Sequence, residues 1–232
     1  MIFSDRAEAG DVLADALLEY AGTDSVVLAI PRGGVVVGRA VADALGAPLD
    51  VVVPRKIGAP GNPELGLGAV APGVRVLDDR LVRSLHVTPE YLEREIAAQE
   101  REIERRERAY REGRPPTDVR GKVAIVVDDG IATGGTAAAA LRWARERGAS
   151  TVVLAVPVAP VQSIAKLRED ADRMVVLATP EPFLAVGEWY RTFDQTSDDE
   201  VVRLLARARG SSGSTASDPS VARPHQQEGG AA

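Results

Sequence analysis

The residues best suited to chemistry lie in one stretch, Asp128-Asp129-Gly130-Ile131-Ala132-Thr133-Gly134-Gly135-Thr136. An apolar, β-rich run from Val123 to Val127 delivers two adjacent carboxylates to its end, and a short Thr/Gly loop then opens a helix. Glycines let backbone N–H groups converge, threonine hydroxyls add donors, and a helix N-terminus supplies positive potential. Together these make an anion cradle suited to a phosphate. Carboxylates beside such a cradle repel its ligand unless they face another part of it. The vicinal hydroxyls of a sugar, or a magnesium ion, would satisfy them. A plain helix cap needs one acid and no such loop. The stretch therefore reads as a sugar-phosphate site.

Two further stretches carry cations or converging amides. Pro31-Arg32-Gly33-Gly34 breaks an apolar run as a tight turn with a guanidinium, suited to a diphosphate; taken alone, it is equally well a bare turn. Val53-Pro54-Arg55-Lys56 ends another apolar run with two cations, as a charged strand cap or as an anion site. Lysine is scarce, with Lys56, Lys122 and Lys166 the three in the chain, which favours the second reading. In open parallel sheets ligands bind at the carboxyl ends of strands, so the three stretches should face one crevice.

Strands alternating with helices must position them. A length of 232 residues suits one domain with an embellishment, and 45% apolar residues suffice for a full core. Residues 25–30, 49–53, 122–127, 151–157 and 174–178 read as short strands buried on both faces. Residues 5–20, 35–45, 135–147, 161–169 and 198–208 read as helices. The alternation implies right-handed crossovers and an α/β fold with a doubly wound, mostly parallel sheet. Residues 58–73 are rich in Gly and Pro and read as a mobile loop or hairpin.

Thr88-Pro89-Glu90 starts a long helix that runs to about Tyr110 and is stopped by Gly113 and Pro115-Pro116. It is mostly Glu and Arg, with pairs such as Glu90–Arg94 and Glu104–Arg108 in the favourable order. Its thin apolar stripe, Leu92, Ile96, Ile103 and Tyr110, suits either a solvated helix at the domain edge or the seam of a homodimer. Residues 1–208 are expected to form the domain. Residues 209–232, poor in large apolar side chains, are expected to be a disordered tail.

Composition excludes several classes. With no cysteine there are no disulfides, thiolate metal sites or cysteine nucleophile. Two histidines, His86 and His225, argue against a Ser–His–Asp triad or a multi-histidine metal centre. The net charge of −6 argues against a nucleic-acid partner. No apolar run is long enough for a membrane span, and the first residues lack a secretory pattern. A soluble cytoplasmic protein is the expectation. Gly66-Leu67-Gly68-Ala69-Val70-Ala71 echoes a dinucleotide fingerprint but sits late in a loop, away from a first strand-to-helix turn.

The stretch Val126-Val127-Asp128-Asp129-Gly130-Ile131-Ala132-Thr133-Gly134-Gly135-Thr136 resembles the phosphoribosyl-pyrophosphate signature of type I phosphoribosyltransferases. The resemblance implies their fold. It implies that Asp128 and Asp129 hold ribose hydroxyls, and that Ala132, Thr133, Gly134, Gly135 and Thr136 hold the 5′-phosphate. It makes Arg32, Gly33 and Gly34 part of a pyrophosphate loop, which in the family often holds a non-proline cis peptide. Arg55-Lys56 before a flexible loop is similar to adenine and orotate enzymes, where the pair meets pyrophosphate and the loop closes over the site. The resemblance spans roughly residues 1–208. It is closest to bacterial phosphoribosyltransferase-like proteins that share the Glu/Arg helix as an insertion, about residues 88–113, and the segment from Pro180 to Tyr190.

The reaction so implied displaces pyrophosphate from C1 of 5-phosphoribosyl 1-pyrophosphate (PRPP) and joins a nitrogen of a nucleobase-like acceptor. Arg32, Arg55 and Lys56 would assist the leaving group, Asp128 and Asp129 would orient the sugar, and Mg2+ would bridge ligand oxygens with few direct protein ligands. The 6-oxopurine enzymes carry an acid where Ala132 stands, which argues against that substrate class. Phe183 is a base-stacking candidate or ordinary core. Glu64 is an acid for the base or a solvated loop residue. Trp189 and Tyr190 read as structural cover. A regulator on the same fold, binding PRPP or nucleotides without turnover, is the alternative. Arg55, Lys56 and the loop favour the enzyme, since closure and diphosphate loss matter only for turnover.

Overall fold

In the computed structural model, which describes residues 1–210, eight strands follow in chain order. They are β1 (Ser25–Ala29), β2 (Leu49–Val51), β3 (Arg55–Ala59), β4 (Asn62–Ala71), β5 (Val74–Leu77), β6 (Val123–Val127), β7 (Thr151–Val158) and β8 (Arg173–Ala178). The helices are α1 (Arg6–Asp15), α2 (Gly33–Leu45), α3 (Asp79–Ser84), α4 (Pro89–Arg111), α5 (Gly135–Glu146), α6 (Val161–Leu167) and α7 (Asp198–Gly210).

The five apolar runs make one parallel sheet in the order β2-β1-β6-β7-β8. Every residue of β1 is buried, because both faces are covered. Val27 and Ala29 join a core shared with α1, α2, α4 and α7. Val26 and Leu28 point the other way, into a core shared with α5. The doubly wound reading therefore holds.

Residues 58–73 take the hairpin alternative rather than the mobile loop, with a third strand added. With their neighbours they form an antiparallel sheet in the order β3-β4-β5. Ile57, Leu67 and Val70 pack toward α4, while Ala69, Ala71 and Val74 pack toward α5. The glycines serve close approach between strands. Gly68 has φ +157°, and a Cβ there would lie 2.0 Å from the Val76 carbonyl oxygen. The register shifts around Gly58, where a bulge absorbs the mismatch. Among the described residues no helix is long and apolar enough to cross a membrane. α7 runs to Gly210, two residues into the expected tail; the rest of that tail lies outside the described residues.

α4 begins as its sequence dictates. Thr88 Oγ1 accepts the Tyr91 N–H at 3.3 Å, and Pro89 occupies the first turn. Ile96, Ile103 and Tyr110 are buried against the rest of the same chain, including β3 and α7, so this stripe is filled within the domain. Arg111 is buried with Asp50: its Nε donates to Asp50 Oδ1 at 2.9 Å, and its Nη2 donates to the Val51 carbonyl at 2.5 Å. The other Asp50 oxygen accepts the Thr117 N–H at 2.6 Å. Removing one partner of such a pair leaves a buried uncompensated charge. Arg111→Met is therefore expected to lower unfolding free energy by about 3–5 kcal/mol. A urea titration checks this, and an unchanged midpoint would contradict it.

Candidate active site

Register brings the chemically suited stretches together. Ala29 of β1 pairs with Val127 of β6, and the Ile30 N–H donates to the Val127 carbonyl at 2.8 Å. The Pro31-Arg32-Gly33-Gly34 turn and the Asp128–Asp129 pair thus leave the same sheet edge side by side. The Pro31–Arg32 peptide is cis, as the resemblance implies for such a loop. Gly33 and Gly34 lie directly on the acids. A Cβ at Gly33 would stand 1.9 Å from Asp129 Oδ2, and one at Gly34 would stand 2.9 Å from Asp128 Cα. Only a residue without a side chain permits this approach.

The two acids differ in environment. Asp128 Oδ1 accepts the Asp129 N–H at 2.9 Å. Burial, and then the neighbouring Asp129 charge, push the Asp128 carboxyl well above its ordinary range. Asp129 Oδ2 accepts from Arg6 Nε at 2.7 Å. Arg6 is itself fixed: its Nη1 donates to the Asp194 carbonyl at 2.7 Å, and its guanidinium carbon lies 3.8 Å from the Phe193 ring centroid. Tyr190, buried as expected for cover, donates from its hydroxyl to the Asp129 carbonyl at 2.5 Å. Burial foremost holds the Tyr190 hydroxyl far above its ordinary range. Sequence reading missed Arg6. It lies 123 residues from Asp129, and an arginine in a first helical turn otherwise reads as a solvated residue.

The loop after Asp129 is anchored from both sides. Gly130 is wedged between Val158 and Val186, the Ile131 N–H donates to the Val158 carbonyl at 2.9 Å, and Ser163 Oγ donates to the Ala132 carbonyl at 2.6 Å. Gly134 adopts φ +87° and precedes α5 with no side-chain cap. The first amides of α5, at Gly135 and Thr136, are therefore left for an outside acceptor. Ala132 and Thr133 are exposed beside them.

The cations are divided. Arg32 Nη1 lies 3.9 Å from Asp198 Oδ1, which also accepts the Tyr110 hydroxyl at 2.7 Å. Burial and this bond push the Tyr110 hydroxyl up to about 12. Arg55 and Lys56 are adjacent on β3 and so point to opposite faces. Arg55 Nε donates to Gln99 Oε1 of α4 at 3.0 Å, while Lys56 Nζ meets Glu64 Oε2 at 3.0 Å. Lys56 also lines a cavity of about 650 Å3 together with Thr133, Gly134, Gly135 and Thr136. Phe183 stacks on Trp189 with ring centroids 6.4 Å apart. The structure thus joins Gly33 and Gly34 to the acids and Lys56 to the loop, and sets the Arg32 guanidinium against Asp198. It turns Arg55 toward α4 and gives Glu64 and Phe183 protein partners.

Comparison with known proteins gives the family. The sequence model described as the phosphoribosyl transferase domain matches residues 5–182. The chain belongs to the phosphoribosyl transferase family. Two Mycobacterium tuberculosis proteins, each named as a candidate phosphoribosyl transferase, are 50% identical over 208 residues, 89% of this chain and 47% of theirs. The chain therefore spans about half the length of those relatives. A Thermus thermophilus protein of known crystal structure is 44% identical, with TM-score 0.76, covering 89% of this chain and 99% of that one. In this phosphoribosyl transferase domain, no three His, Cys, Asp or Glu side chains among the described residues converge as a metal-ligand set. Asp128 and Asp129 are two hard oxygen donors side by side.

Proposed function

We propose that the chain is a phosphoribosyltransferase that takes PRPP and a nucleobase-like nitrogen acceptor and releases pyrophosphate. The observation that carries this reading is the packing of the Gly33-Gly34 turn on Asp128 and Asp129, beside the uncapped start of α5. Such a surface offers separate places for a diphosphate, a sugar diol and a 5′-phosphate.

In this reading the 133–136 loop, with Ala132 at its edge, takes the 5′-phosphate. Asp128 and Asp129 accept hydrogen bonds from the ribose hydroxyls, and Arg6 fixes the Asp129 carboxylate from behind. Arg32 and the amides at Gly33 and Gly34 take the diphosphate, with Lys56 reaching it from the cavity side. Arg55 serves the same group once it leaves Gln99. Most of the protein's contribution is positioning, together with neutralising charge that grows on the diphosphate as its bond to C1 breaks. Mg2+, with few direct protein ligands, would sit beside Asp128 and Asp129 and would supply further neutralisation of the diphosphate charge. Phe183 stacks the acceptor, and Glu64 serves its ring once released from Lys56.

The alternative regulator binds the same ligand without turnover. The two are separated by pyrophosphate release from PRPP and Mg2+ across purines, pyrimidines and simple amines. The enzyme reading expects release with a heteroaromatic base. It also expects Lys56→Ala to lower turnover more than ground-state affinity, since its charge matters most as the bond breaks. Tight PRPP binding with no release across the panel would instead favour the regulator.

A further inference from the structure

The cavity beside the 133–136 loop is larger and more basic than one phosphate requires. Its volume, about 650 Å3, falls among pockets that take a whole small molecule, roughly 300–1,000 Å3. From the loop it runs down one face of α5 through Gly135 and Ala138 to Arg142. At the α-helical rise that is about 10 Å. Arg32, Asp128 and Asp129 do not line it, so the sugar and leaving-group end of PRPP lies to the other side of the loop.

Five cations border this space: Lys56, Arg80, Arg83, Arg142 and Lys166. Two are committed, Lys56 to Glu64 at 3.0 Å and Arg142 to Asp170 at 2.7 Å. Asp78, on the same wall, is occupied by the backbone N–H groups of Arg80 and Leu81. Among the described residues Arg80, Arg83 and Lys166 have no carboxylate within ion-pair distance. Three uncommitted cations against one uncommitted acid, Asp79, leave the cavity net positive in a chain of net charge −6, which suits an anion.

We infer that the loop also receives the first phosphate of a nucleoside 5′-di- or triphosphate, whose outer phosphates run along α5 to Arg80, Arg83 and Lys166. The inference rests on the reading of the loop as a phosphate site. Guanidinium groups match phosphate oxygens in bidentate fashion, so each further phosphate adds charge-assisted bonds. Such a ligand excludes PRPP by occupying the same loop.

Calorimetric titrations with AMP, ADP, GMP, GDP, inorganic diphosphate and PRPP test this. In the wild type each nucleoside diphosphate should bind at least about tenfold more tightly than its monophosphate. In Arg80→Ala/Arg83→Ala that ratio should fall to about twofold or less, with monophosphate and PRPP affinities unchanged. Lys166→Ala should lower the ratio in the same direction and serves as the second variant if the double one misfolds. Equal wild-type affinities for mono- and diphosphates would overturn the inference. So would inorganic diphosphate binding as tightly as ADP. A double variant that weakens PRPP while keeping the ratio would assign the cluster to the leaving group instead. Wild-type protein that binds neither PRPP nor any monophosphate would sink the reading of the loop itself.

Discussion

Asp129→Asn is expected to weaken PRPP binding by about 10- to 150-fold, the range for a hydrogen bond made by a charged group. Asp128→Asn should weaken it comparably, but with an opposite effect on stability. Burial and the Asp129 charge raise the Asp128 carboxyl in the folded state above its unfolded value. A raised acid contributes stability that is fully present below the unfolded pKa and lost as pH rises through the folded one. At neutral pH the unfolded chain holds this group ionised, so burying it opposes folding, and an amide removes that opposition while still accepting the Asp129 N–H. Asp128→Asn should melt a few degrees higher than wild type at pH 7. The gain should vanish toward pH 4, near the ordinary carboxyl pKa of about 3.9. Calorimetric titration and thermal scans on one preparation measure both effects. Unchanged affinity in both variants would remove the acids from the ligand site, and a lower melting temperature for Asp128→Asn at pH 7 would contradict its burial cost.

Gly33→Ala should reduce PRPP turnover by about 100-fold, the scale associated with a misplacement of about 1 Å at a reacting centre. The added Cβ would stand 1.9 Å from Asp129 Oδ2 and 2.6 Å from Arg6 Nε, so carboxylate, guanidinium or backbone must shift. Helix propensity pulls the other way. Gly33 is the first residue of α2, where alanine is otherwise the better helix former. The expected result is a folded protein with an intact far-UV circular dichroism spectrum and a damaged site. Full activity would show that the turn does not need its close contact with Asp129.

The parallel sheet was legible because strands buried on both faces leave continuous apolar runs, and the five runs became its five strands. Their ends were less so. Residues 52 and 53 were expected in β2, yet it stops at Val51, since burial continues past the last paired residue. α1 ends at Asp15 and is followed by a separate short 3-10 turn at Leu18–Tyr20 where one helix was expected. The antiparallel sheet was half legible, as the hairpin alternative to a loop; the choice and the third strand were not, because glycine content signals loops, whereas Gly66 and Gly68 here let strands and the Lys56 stem approach. In the site, the acids, the 133–136 loop and the glycine turn announce themselves through local residue types. Arg6, Arg80, Arg83 and Lys166 do not, because each gains meaning only from a neighbour brought close by the fold. Arg55 and Lys56 read as a pair in sequence, but strand alternation sends them to opposite faces.

The most direct test is a crystal structure of the chain with PRPP and Mg2+. The expected complex has the 5′-phosphate on the amides at residues 133–136, the ribose hydroxyls on Asp128 and Asp129, and the diphosphate against Arg32, Gly33 and Gly34. PRPP bound with its phosphate away from that loop, or with its ribose out of reach of both acids, would contradict the account.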